Sequence, residues 1–350
     1  MSLIAKKNLL IQLLHDFKLP EIELFPCPPT GYRLRAEFSI FHRDDRLDYA
    51  MWDSQRRPVI INEFPRAVPD IQGLMGPLRD YLNGDALLKE RLFQVEFLGT
   101  TSRDLLLTLI YHRPLDEHWR AAAERLQNFF NINVIGRSRG QKIVLGRDYV
   151  EECLPVRGRR FLYRQYENSF SQPNGLICQA MLHWATAQLA GGHLLELYCG
   201  HGNFTLPLSL NFDRVLATEI SKSSVQALRE NLALNHINNV QVARLSAEEF
   251  CQARAGQRVF RRLLTENVSL ADYDFSAVLV DPPRAGLDAA TLALIVEFPR
   301  ILYISCNPHS LAANLQQLAA SHHIAALALF DQFPDTAHLE SGVLLQRKAH

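Results

Sequence analysis

An α/β fold is predicted for this chain of 350 residues: a doubly wound, seven-stranded mixed sheet in the second half, preceded by a smaller α+β region. Three observations predict it. From about His193 onward, short apolar runs alternate with stretches of helical spacing, the rhythm of parallel strands joined by crossover helices. Three of those runs end in chemically distinctive loops, Tyr198-Cys199-Gly200-His201-Gly202-Asn203, Asp281-Pro282-Pro283-Arg284 and Ser305-Cys306-Asn307-Pro308. Before His193, by contrast, strands come in hairpin pairs. A single boundary divides the chain into regions 1–165 and 166–350.

The elements follow in order. Residues 1–14 carry two lysines and a short apolar stretch interrupted by Gln12, which reads as an amphipathic helix and not a signal peptide. Residues 32–42 and 47–52 flank Arg43-Asp44-Asp45-Arg46 as a hairpin. Residues 92–98 and 105–111 form two more strands around Gly99-Thr100-Thr101-Ser102; Phe93, Val95 and Phe97 alternate along the first and are assigned to the core. Helical spacing covers 117–130. Gln172-Pro173-Asn174 opens a helix, with Ser171 or Asn174 as its cap and Pro173 in its first turn. Strands are then read at 194–198, 214–218, 240–244, 277–280, 301–304, 324–330 and 342–346, with a helix at 221–235. The loop between the last two strands lacks a helical pattern, so that pair is expected to be antiparallel.

Composition narrows the function classes. Hydrophobic residues make up 47% and charged residues 21%, ordinary for a soluble globular protein. Lys plus Arg (37) equals Asp plus Glu (37), so overall charge gives no field for nucleic acid. Locally, eight basic residues between Arg137 and Arg164 face three acidic ones. Six scattered cysteines contain no CxxC pair, which argues against zinc, iron–sulfur and disulfide frameworks. No run approaches the ~20 apolar residues of a membrane span, and a reducing cytoplasm is the expected compartment.

The loop after strand 194–198 reads as a nucleotide-type cofactor site. Gly200 and Gly202 let backbone amides approach a ligand, with Tyr198 where a further glycine often stands. Glu219 ends the next strand, nineteen residues after Gly200, where an acid accepts from ribose hydroxyls. The loop is Gly-x-Gly without the third glycine that opens a helix to a pyrophosphate. S-adenosylmethionine therefore fits better than a dinucleotide: a sulfonium calls for carboxylates and aromatic faces, and Glu196, Tyr198 and Asp281 are of those types. Cys306, at the carboxyl edge of the sheet, is the candidate nucleophile. Cys199 is read as packing and His338 as structural.

Taken together, Phe170-Ser171-Gln172-Pro173-Asn174, residues 196–204, Asp281-Pro282-Pro283-Arg284-Ala285-Gly286-Leu287, Ser305-Cys306-Asn307-Pro308 and His338-Leu339-Glu340-Ser341-Gly342-Val343 resemble the bacterial tRNA (uracil-5-)-methyltransferase family. Tyr32-Arg33-Leu34-Arg35-Ala36-Glu37-Phe38 extends the match to the first half. The resemblance implies a Rossmann-like class I methyltransferase domain behind an RNA-binding region, and methylation of uridine 54 in the tRNA T loop. The T-like loop of transfer-messenger RNA would be a second substrate. It implies Cys306 as the nucleophile adding to uracil C6 and Glu340 as the base that removes the C5 proton. It places Gln172, Tyr198, Asn203, Glu219 and Asp281 around S-adenosylmethionine, with no metal and no iron–sulfur cluster. Arg284, where amino-group methyltransferases commonly carry an aromatic residue, argues against that chemistry. Ribosomal-RNA relatives often carry an extra amino-terminal barrel and a cysteine-rich motif; neither is visible here.

RNA is expected to be gripped by the first region, with the target base extruded. Arg157-Gly158-Arg159-Arg160-Phe161-Leu162-Tyr163-Arg164 interleaves basic and aromatic residues as an RNA surface does, or as a solvated strand edge does; Arg33 and Arg35 are open to the same two readings. A second class of function is a non-catalytic RNA-folding factor that keeps a cofactor pocket. The intact pair of Cys306 and Glu340 discriminates against it.

Overall fold

The strands of the second half assemble largely as their apolar runs dictate, on a sheet that recruits one strand from the amino terminus. The structure is a computed structural model and describes residues 1–349. The chain forms two units, one of residues 1–27, 154–163 and 176–350, the other of 28–153 and 164–175.

In the first unit the sheet has eight strands. Across it lie Ile22–Phe25, His322–Phe330, Glu340–Arg347, Arg300–Ser305, Phe275–Val280, His193–Leu197, Arg214–Thr218 and Val240–Ala243. All neighbours are parallel except on either side of Glu340–Arg347, which runs antiparallel to both. The expected antiparallel final pair is therefore present, and seven strands become eight. Ile22–Phe25, paired in parallel with Leu327–Phe330, is the addition. Four residues between prolines show no usable alternation, so their pairing partner alone makes them a strand. The helix Lys222–Leu234 starts where Ser221 caps it, accepting from the Ser224 N–H at 3.3 Å, and buries Val225, Leu228 and Leu232. Helix Pro308–Leu318 begins with Pro308 after the Asn307 cap, a position where the missing N–H is not needed. Apolar residues fill both faces of the sheet, among them Leu195, Val278, Ile301 and Tyr303 on one side and Leu194, Leu279, Leu302 and Ile304 on the other.

The second unit holds a seven-stranded sheet in the order Pro58–Ile60, Arg46–Trp52, Arg35–Arg43, Leu92–Gly99, Leu105–Tyr111, Asn133–Ser138 and Gln141–Leu145. Only Leu105–Tyr111 and Asn133–Ser138 pair in parallel, across the crossover helix Glu117–Phe130. Val95 and Phe97 are core, as their alternation predicts, but Phe93 is 42% exposed. The cause is a register shift between Leu92 and Gln94, which breaks the two-residue period at Phe93. Pro173 also departs from expectation. The helix starts at Gly175; Asn174 bridges Arg33, and the Pro173 carbonyl accepts from the Leu34 N–H at 2.8 Å, so Pro173 lies outside the first turn.

Candidate active site

Strand register brings the chemistry to one edge of the sheet. Leu197 is level with Thr218 and with Val280, and Val280 with Tyr303, so these parallel strands finish side by side. Tyr198, Asn203, Glu219, Asp281 and Cys306 lie on the loops that leave them. The last strand runs the other way. It pairs Ser341 with Ser305 and so begins, with Glu340, where its neighbours end. Gln172 alone among the sequence-predicted site residues belongs to the other unit, where it is buried.

The cofactor loop is shaped by three left-handed residues. Tyr198 has φ +61°, the region glycine favours, which accounts for a tyrosine in a glycine-like place. Gly200 (φ +56°) has open space where a side chain would begin, as a ligand-facing residue should. Gly202 differs from expectation: a Cβ there would lie 2.4 Å from Leu228 Cδ1 and 2.7 Å from Leu206 Cδ1, so it serves helix packing against the loop and not ligand approach. The Glu219 carboxylate accepts from the Gly200 N–H at 3.2 Å and the Ser221 N–H at 2.7 Å, tying the two strand ends together. Cys199 is core, as read from sequence, and its thiol is pushed well above the ordinary range by burial first and then by Glu196 and Glu219.

Several buried polar atoms here lack partners. Glu196 Oε2, Thr205 Oγ1 and Asn203 Nδ2 have none, while Asn203 Oδ1 accepts from the Cys178 thiol at 3.2 Å. Orphaned groups of this kind cost stability unless a ligand satisfies them. Burial pushes Glu196 up to about 8, with the Asp281 carboxylate adding and neighbouring Thr205, though outside hydrogen-bond geometry, opposing. Burial likewise raises Asp281 to about 7. Carboxyls held towards neutrality, an aromatic face at Tyr198 and unpartnered donors and acceptors fit a ligand that carries positive charge, hydroxyls and amines; S-adenosylmethionine is such a ligand.

At the other end of the edge, Cys306 is half-buried immediately before the Asn307 cap. Its turn is fixed. The Asn307 N–H donates to Ser305 Oγ at 3.2 Å, the Ser305 hydroxyl donates to the Asn307 carbonyl at 3.0 Å, and Asn307 Nδ2 donates to the Arg284 carbonyl at 2.9 Å. Burial raises the Cys306 thiol, Glu340 and Asp281 raise it further, and the Arg284 guanidinium opposes them. Glu340, 4% exposed, is pushed well above the carboxylate range by burial and then by Asp281. A thiol, two carboxyls and a guanidinium thus sense one another at the sheet edge, the set needed for reversible addition to an electron-poor ring and for proton removal.

The basic stripe is mostly engaged within the fold. Arg157 donates to the Thr186 carbonyl (2.8 Å) and Arg159 to the Asn235 carbonyl (2.6 Å), while Phe161 and Tyr163 are core. Arg164 donates to Glu151, and Arg35 donates to the carbonyls of Glu167 and Ser169. Structural anchoring, not a stacking surface, explains these residues. Sequence reasoning missed the pair that does present an aromatic face. Exposed Phe93 stacks on His112 at 4.0 Å, and His112 lines a cavity of about 770 Å³ together with Arg113, Arg137 and Arg139. Its exposure follows from the register shift at Leu92, which nothing in the local sequence signals. Among the described residues no helix is long and apolar enough to cross a membrane, and no group of three or more His, Cys, Asp or Glu residues could hold a metal ion.

Comparison with known proteins agrees with this geometry. The model of the family described as tRNA (Uracil-5-)-methyltransferase matches residues 1–348. A tRNA/tmRNA (uracil-C(5))-methyltransferase of Ectopseudomonas mendocina is 53% identical over 351 aligned residues, covering 99% of this chain and 96% of that protein. One from Acinetobacter baylyi is 52% identical, covering 95% and 94%. The crystal structure of Pyrococcus abyssi tRNA (uracil-54, C5)-methyltransferase, in complex with S-adenosyl-L-homocysteine, superposes with a TM-score of 0.76 at 20% identity, over 98% of this chain and 82% of that one, and shares the fold. With strand order, edge chemistry and full-length similarity in accord, the chain belongs to the tRNA (uracil-5-)-methyltransferase family.

Proposed function

We propose that this protein transfers a methyl group from S-adenosylmethionine to C5 of a tRNA uridine, uridine 54 of the T loop, and of the corresponding loop of transfer-messenger RNA. The observation that carries the reading is the meeting of Cys306 and Glu340 at the Ser305–Ser341 pairing, where the Glu340 carboxyl acts on the Cys306 thiol. Uracil C5 is a poor nucleophile. Addition of the Cys306 thiolate to C6 breaks the C5–C6 double bond and places negative charge on C5 and O4. S-adenosylmethionine, when bound, supplies an electrophilic methyl group; Tyr198, Asn203, Glu219 and Asp281 would hold it.

Glu340 then takes the C5 proton. The electron pair of that C–H bond re-forms the C5–C6 double bond and expels the thiolate. Burial serves this role, because a carboxylate whose pKa is raised towards the working pH is a stronger base than an exposed one. The unit of residues 28–153 and 164–175 is assigned to RNA, with Phe93 on His112 offering a face for a base. The test is incubation with labelled S-adenosylmethionine and unmodified tRNA, followed by mass spectrometry of the product bases. Wild type should yield 5-methyluridine, Cys306→Ala none with cofactor binding retained, and Glu340→Gln a methylated protein–RNA adduct that persists on a denaturing gel. Product formation at the normal rate by Cys306→Ala would overturn the nucleophile.

A further inference from the structure

Glu340 follows a nine-residue loop, 331–339, that closes the antiparallel pair whose last register is Phe330 with Glu340. The far end of this loop is clamped by the amino terminus. The helix Leu3–Leu13 sends Lys6 inward: its side chain is 1% exposed, and its ammonium donates to Asp331 Oδ1 at 2.8 Å and to the Phe333 carbonyl at 2.7 Å. The Asp331 N–H donates to the carbonyl of Phe25, continuing the pairing of the amino-terminal strand, and Phe25 stacks on Phe330 at 4.8 Å. The Phe333 carbonyl also accepts from the Thr336 hydroxyl at 2.9 Å, and Thr336 Oγ1 accepts from the His338 N–H at 3.2 Å. A continuous set of bonds therefore runs from Lys6 to the residue two before Glu340.

This arrangement is unusual for a lysine on a terminal helix. Such a helix needs only apolar contacts to dock, and a buried ammonium is retained at a desolvation cost that an apolar residue of the same length would avoid. Its geometry does what an apolar residue cannot: one cation fixes a carboxylate and a carbonyl two residues apart in the loop. Glu340 is the first residue of its strand, so its placement depends on the loop backbone that delivers it.

We propose that Lys6 is a positioning residue for the reaction: through Asp331 and the Phe333 carbonyl it sets the loop that holds Glu340 at the sheet edge. The proposal rests on Glu340 acting as the base. The test uses the full chain with Lys6→Met, which keeps length and removes charge, and Asp331→Asn, milder because an oxygen acceptor remains for Lys6. Amide hydrogen exchange should rise at least about tenfold over 331–340 in Lys6→Met and less in Asp331→Asn, while strands 193–197 and 214–218 exchange as in wild type. With unmodified tRNA and S-adenosylmethionine, both variants should bind the cofactor within about twofold of wild type yet accumulate the methylated protein–RNA adduct, in the same order. Unchanged exchange at 331–340, or a rise spread evenly over the sheet, overturns the proposal, as does a fall in turnover without adduct. Failure of the underlying reading shows separately, in a lane of Glu340→Gln with Lys6 intact: if that variant builds no adduct, Glu340 is not the base and Lys6 has nothing to position.

Discussion

Replacing Glu196 by glutamine should improve resistance to unfolding, relative to wild type and without cofactor, more in alkaline buffer than in acid. Glu196 sits on the strand His193–Leu197, fully enclosed, with Oε2 lacking any partner. In the folded protein its carboxyl keeps its proton up to about 8, against an ordinary 4.5. At about 1.4 kcal/mol per pKa unit, that difference corresponds to on the order of 5 kcal/mol. Between those two values the folded state binds the proton and the unfolded chain does not, so each rise in pH favours unfolding; the contribution is complete below 4.5 and gone above about 8. Glutamine carries no such proton. Urea unfolding followed by circular dichroism at pH 5.5, 7 and 8.5 measures the difference between variant and wild type. It should move in favour of Glu196→Gln by roughly 3 kcal/mol from the lowest to the highest pH. A difference that stays constant across the three buffers would refute a neutral, desolvated Glu196, and with it the argument that this pocket awaits a cation.

Two further outcomes follow from the geometry. Because Arg284 opposes the burial and the carboxyls that raise Cys306, Arg284→Gln should shift the pH midpoint of Cys306 alkylation by iodoacetamide upward, and an unchanged midpoint would remove Arg284 from the thiol's surroundings. Phe93→Ala should weaken binding of unmodified tRNA by roughly 5- to 150-fold, the range of one lost base–aromatic stack, with cofactor affinity unaltered; equal tRNA affinity in a gel-shift titration would exclude a stacking role.

Much of this protein could be read before folding was considered. The apolar runs at 194–198, 277–280 and 301–304, each followed by a loop of unusual composition, fix both the α/β class and the residues at the strand ends. A strand's end is a local property: the apolar period stops, and what comes next must leave the sheet. Tyr198 in a left-handed conformation and the Ser221 and Asn307 caps are local in the same sense. What sequence could not supply is what depends on partners distant along the chain. Ile22–Phe25 is a strand because residues 327–330 offer it an edge. Phe93 faces solvent because its neighbour strand slips register beside it. Arg157, Arg159 and Arg35 are anchors because carbonyls elsewhere in the fold accept from them. Glu340 reaches Cys306, and Lys6 reaches Asp331, across more than 30 and more than 300 residues respectively, and only tertiary structure brings such groups within range of short-range forces.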